Sequence, residues 1–134
     1  MLRIIYRAQH KRSAIKVLLL DQSFIAGIGN IYASEILFRA GIHPAKVANT
    51  LSYLQWRLLL NSIRFILKQA VQSKGSTIRD FLSVEGQLGN FQHQHKVYGR
   101  TNQPCVRCKK PIQSLIQQGR SSFYCPHCQL LKMK

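Results

Sequence analysis

Apolar residues recur every three or four positions over one long stretch of the chain and lose that rhythm elsewhere. From Ser52 onward Leu54, Leu58, Leu59, Ile63, Ile66, Leu67 and Ala70 keep helical spacing, which predicts a helix to about Ser73. Ser52 and Gln55 form a capping box at its start, and Gly75 is expected to terminate it. Ile31, Ala33, Ile36, Leu37 and Ala40 predict another helix over 31–40, with Asn30 as its N-cap, Gly41 as its stop and Pro44 just beyond. A shorter run, Ala14 to Leu20, reads as a helix capped by Ser13 and ended by Asp21-Gln22. Between them, Phe24-Ile25-Ala26-Gly27-Ile28-Gly29-Asn30 carries two glycines and predicts a tight turn. Residues 1–12 are a charged approach segment or frayed helix.

The rhythm fades after Gly75. Residues 76–96 read as an ordered loop, and 97–128 as two short β-hairpins with Ile112–Ile116 and Ser122–Tyr124 as strands. The predicted fold is therefore mainly α: a helical domain over 1–95, then a small β-hairpin module over 96–134. No repeat or low-complexity tract interrupts it.

Charge narrows the function. Lys and Arg number 20 against four acids in 134 residues, a net charge of +16. Asp21, Glu35, Asp80 and Glu85 cannot neutralise that field internally, so a polyanion is the expected partner. Hydrophobic content of 46% supports a packed core and argues against a disordered basic tail. No run approaches the roughly 18 apolar residues that span a bilayer, and Val17 to Leu20 is too short for a signal peptide. A cytoplasmic protein without membrane contact is expected.

The C-terminal module carries Cys105-x2-Cys108 and, after 16 residues, Cys125-x2-Cys128. In a reducing compartment two such pairs favour metal over disulfides. Four thiolates make a tetrahedral structural zinc site with no open position for catalysis. A finger this small draws most of its folding free energy from the metal, on the order of 10 kcal/mol. His127, inside the second knuckle, is expected at the surface, and His93 with His95 reads as structural or phosphate-facing.

Two features outside the metal site suit phosphate. Arg120, between Gly119 and Ser121 at a hairpin tip, is either a bidentate phosphate clamp or a solvated turn residue. Gly29-Asn30 at a helix start, with Lys16 nearby, is either a phosphate seat or an ordinary cap beside a surface lysine.

Taken together, Ile15-Lys16-Val17-Leu18-Leu19-Leu20-Asp21-Gln22, Ala26-Gly27-Ile28-Gly29-Asn30-Ile31-Tyr32 and Arg39-Ala40-Gly41-Ile42-His43-Pro44 resemble the helix–two-turn–helix region of formamidopyrimidine-DNA glycosylase. Gly75-Ser76-Thr77-Ile78-Arg79-Asp80-Phe81, Val97-Tyr98-Gly99-Arg100 and Gly119-Arg120-Ser121-Ser122-Phe123-Tyr124-Cys125-Pro126 extend the resemblance through the finger. It implies a bacterial, nucleoid-associated base-excision repair protein that removes oxidised purines such as 8-oxoguanine from double-stranded DNA and nicks the abasic site. It implies that Lys11, Lys16, Gly29, Asn30 and Arg120 contact DNA. Thr77, Ile78, Arg79, Asp80 and Phe81 would form the loop that closes over the extruded base. The family also assigns the finger arginine, here Arg120, a proton-donor role in the second elimination. A guanidinium with a pKa above about 12 is a better clamp than acid. The family's nucleophile is an N-terminal proline followed by glutamate, whereas this chain begins Met1-Leu2-Arg3. The expectation is a monomer that binds DNA without cleaving it, or one half of a split enzyme completed by a separate N-terminal catalytic domain. The alternative is an autonomous zinc-finger nucleic-acid-binding protein.

Overall fold

The computed structural model describes residues 2–83 and 95–131. In chain order it holds α1 (Leu2–Ala8), α2 (Ile15–Leu20), α3 (Asn30–Ala40), a 3-10 turn (Ala48–Thr50), α4 (Tyr53–Ser83), β1 (Gln113–Gln117) and β2 (Arg120–Tyr124). The first four helices and the 3-10 turn form a helical body, and the two strands form an antiparallel hairpin set against α3.

The body is built around α3. Its buried side chains Ala33, Ile36 and Leu37 meet Ile15, Leu18 and Leu19 of α2, Ile28 and Ile42 from the flanking turns, and Trp56 and Leu59 of α4. A second apolar cluster joins Phe38 of α3 to Val97, Cys105, Ile112 and Cys125. One helix therefore serves two cores, and the hairpin module has a fixed seat on it.

Several local expectations hold. Ser52 Oγ accepts from the Gln55 N–H at 3.1 Å while Gln55 Oε1 accepts from the Ser52 N–H at 2.9 Å, closing the capping box. Gly41 ends α3 in the left-handed region (φ 74°), and its N–H reaches the Leu37 and Phe38 carbonyls. Asp21 follows the last residue of α2 and turns the chain by accepting from the Ser23 N–H and hydroxyl at 2.9 and 2.6 Å. In the turn before α3 only Gly27 needs positive φ (92°); Gly29 is extended at φ −96°.

Of the two readings of residues 1–12, the helical one holds over 2–8, fixed by the buried Ala8 and by Arg7, whose Nη2 donates to the Ser23 carbonyl at 3.0 Å. Other expectations are corrected. Ser13 does not cap α2. The backbone N–H groups of Ile15 and Lys16 instead reach the Lys46 and Pro44 carbonyls at 2.7 and 3.3 Å, because Ala14 bridges Val47. Asn30 is the first helical residue of α3 and its side chain caps nothing on that helix. Gly75 does not stop α4, whose backbone stays helical to Ser83. A glycine costs a helix only about 1 kcal/mol against alanine, and each further residue adds a hydrogen bond. The Thr77–Phe81 segment is thus helical in backbone and not a loop; its side chains lie outside the described residues, as do 84–94 and His93. Finally, one regular hairpin forms where two were expected. Its register pairs Gln113 with Tyr124 and Gln117 with Arg120, and the first knuckle is closed by a Pro104–Pro111 bridge.

Candidate nucleic-acid interface

The four cysteine sulfurs lie within 4.8 Å of one another, with Cys105–Cys128 at 3.9 Å and Cys108–Cys125 at 3.4 Å. A zinc ion with bonds of about 2.3 Å in tetrahedral geometry sets its sulfurs roughly 3.8 Å apart, so the set fits. Each knuckle is pre-shaped by backbone. The N–H of Arg107 points to Cys105 Sγ at 3.4 Å and that of Cys128 to Cys125 Sγ at 3.3 Å. Burial pulls the Cys105 thiol upward, but N–H groups of Cys108 and Arg107 prevail and hold it at about 7. Burial and the neighbouring thiols push Cys128 up to about 12. A dication would ionise all four. The site is a structural zinc site; His127 is exposed beside it.

The finger is locked to the body by polar groups that the sequence pattern did not single out. Glu35 of α3 is only 6% exposed, and its carboxylate accepts from three successive backbone N–H groups: Lys96 at 2.7 Å, Val97 at 2.9 Å and Tyr98 at 2.9 Å. Gln129 is fully buried; it accepts from the Cys125 N–H at 2.8 Å and donates to the Ile42 carbonyl at 2.9 Å. Gln117 donates to the Pro44 carbonyl at 3.1 Å. Tyr98 packs edge-on against Phe123 at 4.9 Å, and His95 against Tyr98 at 5.8 Å. Burial lowers the pKa of His43, whose Nδ1 accepts from the Ala45 N–H at 3.0 Å while its ring lies 4.6 Å from Tyr124. The one signal for Glu35 was its rarity, a lone acid on an apolar helix of a +16 chain.

At this seam sits Lys16, 1% exposed. Its Nζ donates to Asn30 Oδ1 and, at 3.3 Å, to the Ser121 carbonyl of β2. Asn30 Nδ2 donates to the same carbonyl at 3.0 Å. Three distant segments meet at one ammonium, and among the described residues no carboxylate is hydrogen-bonded to it. Burial first, and the Arg120 charge second, lower its pKa to about 8. Lys16 lines a cleft of about 310 Å³ between α2 and the hairpin tip, which Lys11, Ser13, Asp21, Gln117 and Arg120 also border. Arg120 is exposed at the tip, and Gly119 before it needs its positive φ of 77°. Around Gly29 a Cβ would meet nothing within 4 Å, so no packing demands glycine there and the backbone at the start of α3 is open to approach. Of the predicted contacts, Lys11, Lys16 and Arg120 border one cleft, and Asn30, with Gly29 before it, adjoins Lys16. The side chains of Thr77–Phe81 lie outside the described residues.

Fold and site together define a helix–two-turn–helix body stapled to a four-cysteine zinc finger. The formamidopyrimidine-DNA glycosylase H2TH domain matches residues 3–82, and the zinc finger found in FPG and IleRS matches 102–130. The chain belongs to the formamidopyrimidine-DNA glycosylase family. It is 47% identical over 121 residues to the formamidopyrimidine-DNA glycosylase of Solibacter usitatus, covering 90% of this chain and 46% of that protein. The corresponding protein of Gluconobacter oxydans is 50% identical over 121 residues, covering 89% and 44%. Lactococcus lactis Fpg complexed with DNA containing an abasic site superposes with a TM-score of 0.84 at 37% identity, over 97% of this chain and 47% of that one. MutM in complex with DNA containing carbocyclic 8-oxo-G gives the same TM-score, identity and coverage. The chain thus spans about half the length of the curated relatives it matches. Among the described residues no helix is long and apolar enough to cross a membrane.

Proposed function

We propose that this chain grips damaged double-stranded DNA, as the DNA-holding half of a base-excision repair glycosylase and abasic-site lyase acting on oxidised purines in the bacterial cytoplasm, at the nucleoid. One observation carries the reading: the buried ammonium of Lys16, held by two neutral oxygens beside a cationic cleft. Burying a charge without a counter-ion is costly, and the cost is recovered only when an anion arrives. A backbone phosphate in the cleft supplies that anion. Lys16 is held toward it by Asn30 and Ser121, Arg120 clamps it from the hairpin tip with a planar fork, and Lys11 extends the basic track. The open backbone at Gly29-Asn30 seats a neighbouring phosphate on the α3 N-terminus. Arg120 acts as a clamp in preference to a proton donor. Thr77, Ile78, Arg79, Asp80 and Phe81 cover the extruded base. The zinc holds the hairpin in register and takes no part in chemistry.

Fluorescence anisotropy against three duplexes tests this: one with an abasic analogue, one intact DNA and one RNA. Tighter binding to the abasic duplex is expected. Arg120→Ala should weaken it and shallow the dependence of log K on log salt by about 0.9, one phosphate contact. Equal affinity for all three duplexes, or an unaltered salt slope, contradicts the proposal.

A further inference from the structure

A second cleft, of about 630 Å³, lies where the C-terminal half of α3, the middle of α4 and the first zinc knuckle meet. Its walls carry three cations, Arg39, Lys96 and Arg107, and one acid, Glu35. Each guanidinium sits over an aromatic ring of the same cleft. Arg39 is 3.9 Å from the centre of Phe65, and Arg107 is 4.5 Å from that of Phe38. Such stacking holds a guanidinium in place and reduces the entropy lost when it takes up a ligand. Little else occupies their donors. Among the described residues Arg39 Nη1 donates to Ser62 Oγ at 3.3 Å and Arg107 Nη1 to the Phe38 carbonyl at 3.4 Å, both neutral oxygens at long range. A guanidinium has five N–H groups, so most of each fork is left for a ligand. Glu35 does not neutralise them: its carboxylate accepts from the backbone N–H groups of Lys96, Val97 and Tyr98.

We infer that this cleft binds a phosphomonoester on a small organic body, either free or at the end of a strand. Charge sets the class. Three cations against one carboxylate leave an excess of two positive charges, and a monoester carries close to two negative charges at neutral pH. A backbone diester carries one and would leave half of that excess unmatched. Planar forks pair with phosphate oxygens two at a time. The volume lies within the range of small-ligand sites, and Ile66 and Val106 offer the organic body an apolar wall. The cleft shares no lining residue with that of Lys16. Arg39 lies nine residues along α3 from Asn30, about 13 Å. The inference therefore stands apart from the phosphate seat at Lys16, and both sites can be filled at once. A ligand here touches α3, α4 and the knuckle together, so it should also slow the loss of zinc.

The probes are deoxyguanosine 5′-monophosphate and a 5′-phosphorylated trinucleotide, titrated calorimetrically into the zinc-loaded chain at roughly physiological salt. The controls are the methyl diester of the mononucleotide, unphosphorylated deoxyguanosine and the 5′-hydroxyl trinucleotide. Saturable binding is expected, at least ~10-fold tighter for a monoester than for its control. A gain with the mononucleotide alone makes the source a free metabolite, and a gain with the trinucleotide alone makes it a strand end; either supports the site. Arg39→Gln and Arg107→Gln, both at exposed positions, should each weaken monoester binding at least ~10-fold. Affinity for an abasic-analogue duplex and the circular dichroism melt should stay in place. A saturating duplex with unphosphorylated ends should leave the monoester isotherm unchanged, and the bound monoester should slow zinc transfer to a chelator. No binding of either monoester, equal binding of the diester, or full affinity in both glutamine variants overturns the inference. Displacement by the duplex overturns it equally, because the three cations would then belong to the DNA track.

Discussion

Lys16 shows how a single side chain trades stability for binding. Its folded pKa of about 8 lies below the ordinary 10.5, so folding disfavours the charged form. The penalty is full below pH 8, shrinks as the folded state releases its proton while the unfolded chain keeps one, and is gone near 10.5. Stability therefore rises with pH across that window. Lys16→Met should melt higher than the natural chain at pH 7, and the difference should narrow between pH 8 and 10.5. DNA binding runs the other way. A phosphate favours the ammonium and raises its pKa, so affinity should hold steady below pH 8 and fall above it, and the methionine variant should lack that fall. Parallel melts and anisotropy titrations over pH 6.5–10 check both; a natural-chain affinity flat through pH 9.5 would remove Lys16 from the phosphate site. Arg120 depends on the same neighbourhood, because its charge is one of the two causes that lower Lys16.

Among elements, α3 carries the design. Asn30 at its first residue joins Lys16 and the hairpin, Glu35 midway holds Lys96 to Tyr98, and Phe38 enters the finger's core. Tyr98 then meets Phe123 on β2, the strand whose Ser121 carbonyl returns to Lys16 and Asn30. The contacts close a ring in which Glu35 sets the position of the hairpin that carries Arg120. Glu35→Gln replaces one carboxylate oxygen by a donor that faces N–H groups, at a cost of about 1–3 kcal/mol. Stoichiometric zinc and the helical spectrum should survive. DNA affinity should fall several-fold with a shallower salt slope, because Arg120 no longer meets its phosphate in register. A lower melting temperature with an unchanged slope would mean that Glu35 contributes stability alone. The capping box and the Gly41 stop could be read in advance because both are local chemistry. The Ser13 and Asn30 caps could not, because the first N–H groups of α2 are taken by the distant Lys46 and Pro44 carbonyls and the Asn30 side chain by Ser121, 91 residues away.

For the whole molecule, the two cores predict unequal responses to metal loss. The cluster of α2, α3 and α4 contains no cysteine, whereas Cys105 and Cys125 are part of the Phe38–Val97–Ile112 cluster. Removing zinc by chelation should release the hairpin while most of the helical signal at 222 nm persists. With the hairpin go Arg120 and the Ser121 carbonyl, so affinity for an abasic-analogue duplex should drop at least ~10-fold, as expected for losing several phosphate contacts. Full affinity after verified metal loss would place the grip elsewhere.

By itself the sequence determined the features that depend on residue type and short spacing. These are the four-cysteine zinc site, the basic field, the long amphipathic helix with its capping box, and the motifs that resemble the glycosylase family. Only the tertiary structure decided what requires chain segments far apart to meet. It turned Lys16 inward against Asn30 and Ser121, gave Glu35 to the finger's backbone, carried α4 past Gly75, and left Leu54 and Leu58 facing water. Periodicity counts apolar positions on a helix but does not say which side its neighbours cover, and a charge pattern gives the sign of a partner without showing where the cations converge.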